Sequence, residues 1–86
     1  MKNPDRGIRV YAYNNEKVHG KFDIYLELPG GRMEWLMMHR HNALLFNLLK
    51  DGIRLSELRK VRRFSGDMVK YVLRVIDEYI EEELTA

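Results

Sequence analysis

The spacing of apolar side chains changes once along the chain, near Asn42. Before that point apolar and polar residues alternate, which is typical of half-buried β-strands. After it apolar residues recur every three or four positions, which is typical of amphipathic helices. Because the two patterns occupy separate halves, the sequence predicts an α+β domain in which the helices follow the sheet.

The first half contains two clear strand segments. Residues 8–13 and 21–28 alternate in polarity and are rich in β-branched and aromatic side chains. A polar cluster at residues 14–17 separates them and is typical of a turn. We therefore expect two neighbouring antiparallel strands, the second of which buries Phe22, Ile24, Leu26 and Leu28.

A glycine pair follows the second strand. Gly30 and Gly31 supply the positive φ angles that a two-residue hairpin turn demands, which predicts a third strand over residues 33–38. The sheet is then a three-stranded antiparallel β-meander within residues 7–39. Methionine, glutamate and leucine also favour helix, so a helical start over the same residues stays open. As a strand, the segment would turn three side chains toward the core: Met33, Trp35 and Met37.

Three helices are expected within residues 42–84. Asn42 caps the first helix, and Gly52 ends it with a left-handed residue. The second helix is expected over about residues 56–62, and the third, capped by Ser65, is much longer. The apolar face of the first helix consists of Leu44, Leu45, Leu48 and Leu49.

The length and composition of the chain predict one small domain, residues 1–86. A chain of 86 residues with 45% hydrophobic and 33% charged side chains is typical of a single globular domain. It contains no cysteine, which excludes disulfides, thiolate nucleophiles and cysteine-based zinc sites. It opens without an apolar run, and no stretch reaches the length of a bilayer span. We expect a cytoplasmic protein that does not contact a membrane.

Charge is distributed unevenly along the chain. Residues 1–31 carry five basic and four acidic side chains, residues 32–63 carry eight and three, and residues 64–86 carry two and six. A basic middle followed by an acidic end suits a nucleic-acid surface, and it also suits dimer contacts.

The second half carries a recognisable spacing of residues. A leucine-rich helix and a glycine precede a Ser-Glu-Leu tripeptide, and apolar residues then follow at set distances from its glutamate: Leu48-Leu49, Gly52, Ser56-Glu57-Leu58, Phe64-Ser65, Val69, Leu73 and Ile76. This pattern, from Leu44 to Ile76, resembles helix-turn-helix and winged-helix DNA-binding domains. Leu58, Phe64, Val69 and Leu73 would share one small three-helix core.

Two positions depart from that family pattern. Arg59 stands where helix-turn-helix units usually carry a small residue, and Arg63 stands where the turn often has a glycine. No β-hairpin follows the third helix within the 86 residues. The resemblance is therefore to the helix-turn-helix core, with a long C-terminal helix and without a following wing.

The resemblance implies a small regulatory protein that binds double-stranded DNA as a dimer. In such units the third helix presents its first turns to the major groove. Basic residues gathered in the second helix and on the third would hold phosphates without specifying sequence. The alternative is a solvated helix face on which some arginines pair with acidic residues. The candidate phosphate contacts are Arg54, Arg59, Lys60, Arg62, Arg63, Lys70 and Arg74.

The third helix supports a different class of function. Its apolar side chains, from Met68 to Ile80, sweep well over half of its circumference, whereas a surface helix usually has an apolar stripe of about 100°. Either the second side of the sheet covers the excess, or a homodimer or protein partner does. The main alternative function is therefore a non-enzymatic protein-interaction or dimerisation module.

A second alternative uses the outward face of the first two strands. Arg9, Tyr11 and Tyr13 alternate on one strand, and Lys21 and Tyr25 share a face of the next. Interleaved aromatic and basic side chains on a sheet can stack single-stranded bases. The same tyrosines could equally form cross-strand pairs on a solvated face or lie under the third helix.

Catalysis and metal binding find little support. His39 and His41 lie two residues apart, and a metal site would need a third ligand nearby. The carboxylates stand singly or in an exposed terminal run, without the paired arrangement that acid–base catalysis needs. We expect no enzymatic activity, no cofactor and no metal.

Overall fold

The computed structural model describes residues 5–62 and 67–84, and it confirms the α+β class. Phe64 of the predicted three-helix core and the predicted Ser65 cap lie outside the described residues. A π-helical turn, Ile80–Leu84, extends the last helix. The other elements, in chain order, are β1 (Arg9–Asn14), β2 (Lys21–Glu27), β3 (Met33–Arg40), α1 (Ala43–Leu49), β4 (Ile53–Arg54), α2 (Leu55–Leu58) and α3 (Met68–Tyr79).

The sheet contains the predicted meander and one further strand. Its order is β3-β2-β1-β4, and all neighbours are antiparallel. The added strand, β4, has two residues, and it pairs Ile53 with Val10 and Arg54 with Arg9. A segment this short has no alternation to detect, so the sequence did not predict it.

One face of the sheet carries the core. Alternate residues of β1 and β2 are buried there, as their polarity pattern predicts. The helices cover this face and complete a single hydrophobic cluster. The fully buried side chains from the two layers include Val10, Phe22, Ile24, Leu26, Leu45, Leu49, Leu55, Leu58, Val72 and Ile76.

Strand β3 departs from simple alternation because it contains a β-bulge. Ile24 of β2 pairs with Met37, whereas the next residue, Tyr25, pairs with Trp35. Leu36 is therefore an extra residue on β3. The alternation of inward and outward side chains has one phase before Leu36 and the opposite phase after it.

The bulge makes part of the sequence prediction wrong. Met33 and Trp35 were expected to face the core, but they are 39% and 55% exposed. They pair with Glu27 and Tyr25, whose side chains lie on the face away from the helices, and cross-strand partners share a face. Met37 packs against the core as predicted.

The turn before β3 is longer than predicted. Gly30 and Gly31 have the positive φ angles that were expected. The Gly31 N–H donates to the Leu28 carbonyl, and the Leu28 N–H donates to the Arg32 carbonyl. Three residues therefore separate the paired ends, so the predicted two-residue turn was wrong.

Helix α1 begins and ends as predicted. The Asn42 side chain accepts a hydrogen bond from the Leu45 N–H at 3.0 Å, and Gly52 has a φ of +87°. Leu45 and Leu49 are buried, but Leu44 is 68% exposed, so the expected apolar face is narrower by one residue. Helix α2 is shorter than predicted, because regular helix ends at Leu58.

Candidate interaction surfaces

Arg59 connects the N-terminal segment to α3. Its Nε donates to Asp5 Oδ2 at 2.6 Å, and its Nη2 donates to Asp77 Oδ1 at 2.6 Å. Hydrogen bonds to Asp77 and to Asp5 raise the pKa of Arg59 above its ordinary value. The guanidinium is thus engaged within the molecule, which is what the solvated-face alternative expected of some arginines.

The other candidate cations of the basic segment point in different directions. Arg54 pairs with Arg9, so its side chain lies on the sheet face away from the helices. Arg62 donates through Nη1 to the carbonyls of Arg59 and Val61. Lys60 lies 3.9 Å from Glu57 Oε1, in an exposed pair. Arg63 lies outside the described residues.

Two further candidates share the exposed side of α3. Lys70 and Arg74 lie one turn apart and are both exposed. The Arg74 guanidinium carbon lies 5.8 Å from the centre of the Tyr71 ring, within the range of a cation–π contact. The exposed side of the helix becomes acidic from Asp77 onward. The structure therefore brings Lys70 and Arg74 together and leaves Arg54 on another surface.

The chain covers most of the apolar arc of α3 by itself. Val69, Val72 and Ile76 are buried, and Leu73 and Tyr79 pack against the core. Tyr71, in contrast, is 45% exposed. The apolar arc of α3 is thus wider than the part that the core covers, and the Tyr71 side chain stays partly exposed beside β3.

The histidines of β3 and the following segment pack against aromatic rings. The His39 ring stacks on Phe22 at 5.5 Å between centres, and the His41 ring lies 5.5 Å from Phe46. Within residues 5–62 and 67–84, no three histidine or carboxylate side chains gather as a metal site would require. These imidazoles contribute to packing at the edge of the core.

A groove runs between the outer edge of β3 and the first turns of α3. Its volume is about 460 Å³, within the range of ligand pockets. Methionines and Tyr71 supply its apolar surface, and none of the described residues that line it is acidic. The lining consists of Met37, Met38, His39, Arg40, His41, Asn42, Met68 and Tyr71.

Backbone groups of β3 face this groove. The His41 N–H donates to the Gly20 carbonyl at 2.8 Å, which continues the β2–β3 ladder. Backbone groups alternate in direction along an antiparallel strand, so the His39 N–H also points toward β2. The N–H groups of Met38 and Arg40 then point away from the sheet. In the part of the chain that the structure describes, β3 is an edge strand with no neighbour on that side.

The face of the sheet opposite the helices forms a second surface, which we call the open face. Tyr11 and Tyr13 stack with ring centres 6.1 Å apart, and Tyr25 meets Tyr13 edge-on at 5.5 Å. Trp35 lies beside Tyr25 in the register and donates from Nε1 to Asp23 Oδ1 at 3.1 Å. Aromatic side chains from three adjacent strands therefore share one surface.

The sequence prediction missed the contribution of β3 to both surfaces. The sequence pattern predicts Trp35 in the core and gives no role to Met38 or Arg40. The run Trp35-Leu36-Met37-Met38 contains four consecutive apolar residues, which cannot all face one side of a regular strand. That interruption of the alternation is the signal that would have indicated a bulge.

The chain was compared with models of protein families, with curated proteins and with solved structures, and nothing matched. In the described residues, no helix is long and apolar enough to cross a membrane.

Proposed function

We propose that this protein is a peptide-binding interaction module, which takes an extended acidic segment of another protein as an added strand on the edge of β3. The observation that carries the proposal is the position of the outward Met38 and Arg40 N–H groups beside the groove formed with α3. This deepens the protein-interaction alternative that the wide apolar arc of α3 predicted.

Strand addition explains the combination of features at this edge. Added strands gain affinity from backbone hydrogen bonds and specificity from pockets for alternate side chains. Met38 is exposed although apolar, and Tyr71 offers an aromatic surface to one face of an added strand. Natural proteins usually protect long edge strands, so an exposed apolar edge favours a partner.

Charge supports an acidic occupant. Arg40 lines the groove and is exposed, and exposed Lys70 follows Val69 on the neighbouring helix. Since Arg40 is charged and none of the described lining residues is acidic, a carboxylate on the peptide would meet a cation within the groove.

The proposal can be tested by selecting peptides from a random library displayed on phage with the wild-type protein. We expect extended sequences that alternate acidic and apolar residues. A synthetic copy of a selected peptide should lose at least about tenfold in affinity for Arg40→Glu, because a favourable charge contact becomes repulsive. Tyr71→Ala should also weaken it.

The matched control for that experiment is Arg32→Glu. Arg32 is also exposed and also borders β3, but it lies at the other end of the strand, away from the groove. The same loss of affinity in both variants would indicate a non-specific charge effect. Failure to recover any peptide that responds to Arg40→Glu would contradict the proposal.

Duplex DNA binding by the helical half remains a second candidate, which the family resemblance suggested. Its support is the exposure of Lys60, Arg62, Lys70 and Arg74. A mobility-shift titration at two salt concentrations tests it, because phosphate contacts must weaken steeply as salt rises. Lys70→Glu with Arg74→Glu should abolish a genuine shift, and unchanged binding would exclude α3 as the DNA-contacting helix.

A further inference from the structure

We infer that the open face of the sheet is a binding site for single-stranded nucleic acid. This surface meets the β3 groove at Met38 and Arg40, which share a face with β2 residues of the open face and also line the groove. The inference does not depend on peptide binding. It deepens what Tyr11, Tyr13 and Tyr25 suggested in the sequence, because the folded chain adds Trp35 and two pairs of cations to the same face.

The aromatic residues of the open face are available for stacking. Tyr13 is 47% exposed and Trp35 is 55% exposed, although aromatic residues of this size are usually more deeply buried. Tyr25 pairs with Tyr11 on one side and with Trp35 on the other, and its ring meets Tyr13 edge-on. Unpaired bases stack on such rings whatever their sequence, because every base has a π-face.

Basic side chains lie at opposite corners of this aromatic surface. Lys21 pairs with Arg40 at one end of the sheet, and Arg9 pairs with Arg54 at the other. Measured along the strand direction, Lys21 and Arg9 lie six residue positions apart. This separation corresponds to about 20 Å at about 3.3 Å per residue. A nucleic-acid strand lying across the rings would therefore meet cations at both ends.

The two carboxylates on the open face are held by neighbouring donors. Asp23 accepts from Trp35 Nε1 and from Asn15 Nδ2, and Glu27 accepts from the Tyr11 hydroxyl at 2.9 Å. These bonds orient the rings and partly satisfy the negative charges. On the strands themselves the four cations at the corners outnumber the two carboxylates, and Glu16 and Lys17 of the turn after β1, which border the face near Tyr13, add one charge of each sign. The net charge of the face therefore suits a polyanion.

The shape of the surface favours single strands over duplex. In the major groove, duplex bases are reached by a helix or a two-stranded ribbon, and a four-stranded sheet is too wide to enter that groove. A sheet face with exposed rings instead accommodates splayed, unstacked bases.

Trp35 provides a direct signal for the test because it is the single tryptophan of the chain. We expect a dT12 or U12 oligonucleotide to quench its fluorescence at low salt, and the affinity to fall as salt rises. A 12-base-pair duplex should not produce the quenching. Absence of quenching by both oligonucleotides at low salt would overturn the inference.

Substitutions locate the contact. Tyr13→Ala should weaken oligonucleotide binding about tenfold, whereas Tyr13→Phe, which keeps the ring, should bind like the wild type. Tyr71→Ala is the matched control, because Tyr71 has a similar exposure of 45% but lies on α3, in the groove.

A second variant tests the same site without altering Tyr13, so the result does not depend on whether Tyr13→Ala disturbs the local structure. Lys21→Glu should also lower the affinity and reduce its dependence on salt. Equal affinities for wild type, Tyr13→Ala and Lys21→Glu would overturn the site. The two surfaces are distinguishable, because Tyr71→Ala should affect peptide and not oligonucleotide, and Tyr13→Ala the reverse.

Discussion

Arg59 joins segments that are far apart in the sequence. It contacts Asp5, which is largely buried, and the exposed Asp77 of α3. A guanidinium suits this position because its planar fork can bind two carboxylates at once, which a lysine ammonium cannot do with the same geometry. The side chain thereby fastens the N-terminal segment and α3 to the turn after α2.

Removal of the Arg59 side chain should destabilise the protein. We expect Arg59→Ala to lower the free energy of unfolding by about 2 kcal/mol, because the largely buried Asp5 carboxylate loses a charged partner that also binds α3. Arg62→Ala should cost less than about 0.5 kcal/mol, since the exposed Arg62 bonds only to nearby carbonyls among the contacts described. Urea denaturation measures both, and equal losses would contradict a structural role specific to Arg59.

Gly52 is constrained by its backbone and by a neighbour. Its φ of +87° disfavours other residues, and a Cβ there would lie 2.5 Å from Cε2 of Tyr11. The Tyr11 hydroxyl is bonded to Glu27, so the ring cannot move away without breaking that contact.

Gly20 separates these two effects. It has a similar φ of +81°, but nothing lies within 4 Å of the position of its Cβ. We expect Gly20→Ala to cost about 1 kcal/mol from the backbone alone. Gly52→Ala should cost at least about 1 kcal/mol more, because overpacking is added. Denaturant unfolding of the two variants is the measurement, and equal costs would mean that Tyr11 gives way freely.

At the scale of elements, the bulge of β3 determines which side chains reach each surface. It places Trp35 on the open face and packs Leu36 and Met37 against the core. Without it, one alternation would continue through the strand, and the aromatic surface would lose its fourth ring. The bulge is thus the local feature on which the composition of the open face depends.

Two lysine substitutions test the bulge. Trp35→Lys should change the free energy of unfolding by less than about 1 kcal/mol, because the side chain is exposed. Leu36→Lys should cost about 2 kcal/mol or more, because it brings a charge against the core. Thermal or urea unfolding compares them. The opposite order would mean that β3 alternates regularly, with Trp35 toward the core.

Local patterns were sufficient to predict most elements. Alternation located β1 and β2 to within a residue or two, and Asn42 and Gly52 marked the ends of α1, because these signals lie within a few neighbouring residues. The bulge and β4 depend on pairing partners that are distant in sequence, so local spacing could not predict them.

The same reason limited the prediction of site residues. The tyrosines of the open face were identified from alternation alone. The partners of Arg59 are 54 and 18 residues away, and no spacing rule connects them. The groove was missed because it needs β3 and α3 to be placed side by side before its lining is apparent.

At the scale of the whole molecule, the sheet separates two kinds of surface. The core occupies its inner face, and the residues that the structure describes leave its outer face and the β3 edge uncovered. Because the chain covers most of the α3 arc itself, a second copy is not needed to complete the core.

Sedimentation equilibrium tests that last point. We expect the mass of one chain, 10.3 kDa, across a range of micromolar concentrations. A stable dimer would contradict this expectation and would make Tyr71 and the β3 edge the first candidate interface. Tyr71→Ala would then be expected to shift the dimer toward monomer.

Hydrogen exchange at individual amides of β3 tests strand addition most directly. With a saturating amount of a peptide selected from the library, the outward Met38 and Arg40 amides should exchange at least about tenfold more slowly, because they become donors to the added strand. The His39 amide is the internal control, since it already points to β2 and should change much less. Protection confined to the open face or to the outer side of α3, with Met38 and Arg40 unchanged, would contradict peptide binding at the β3 edge.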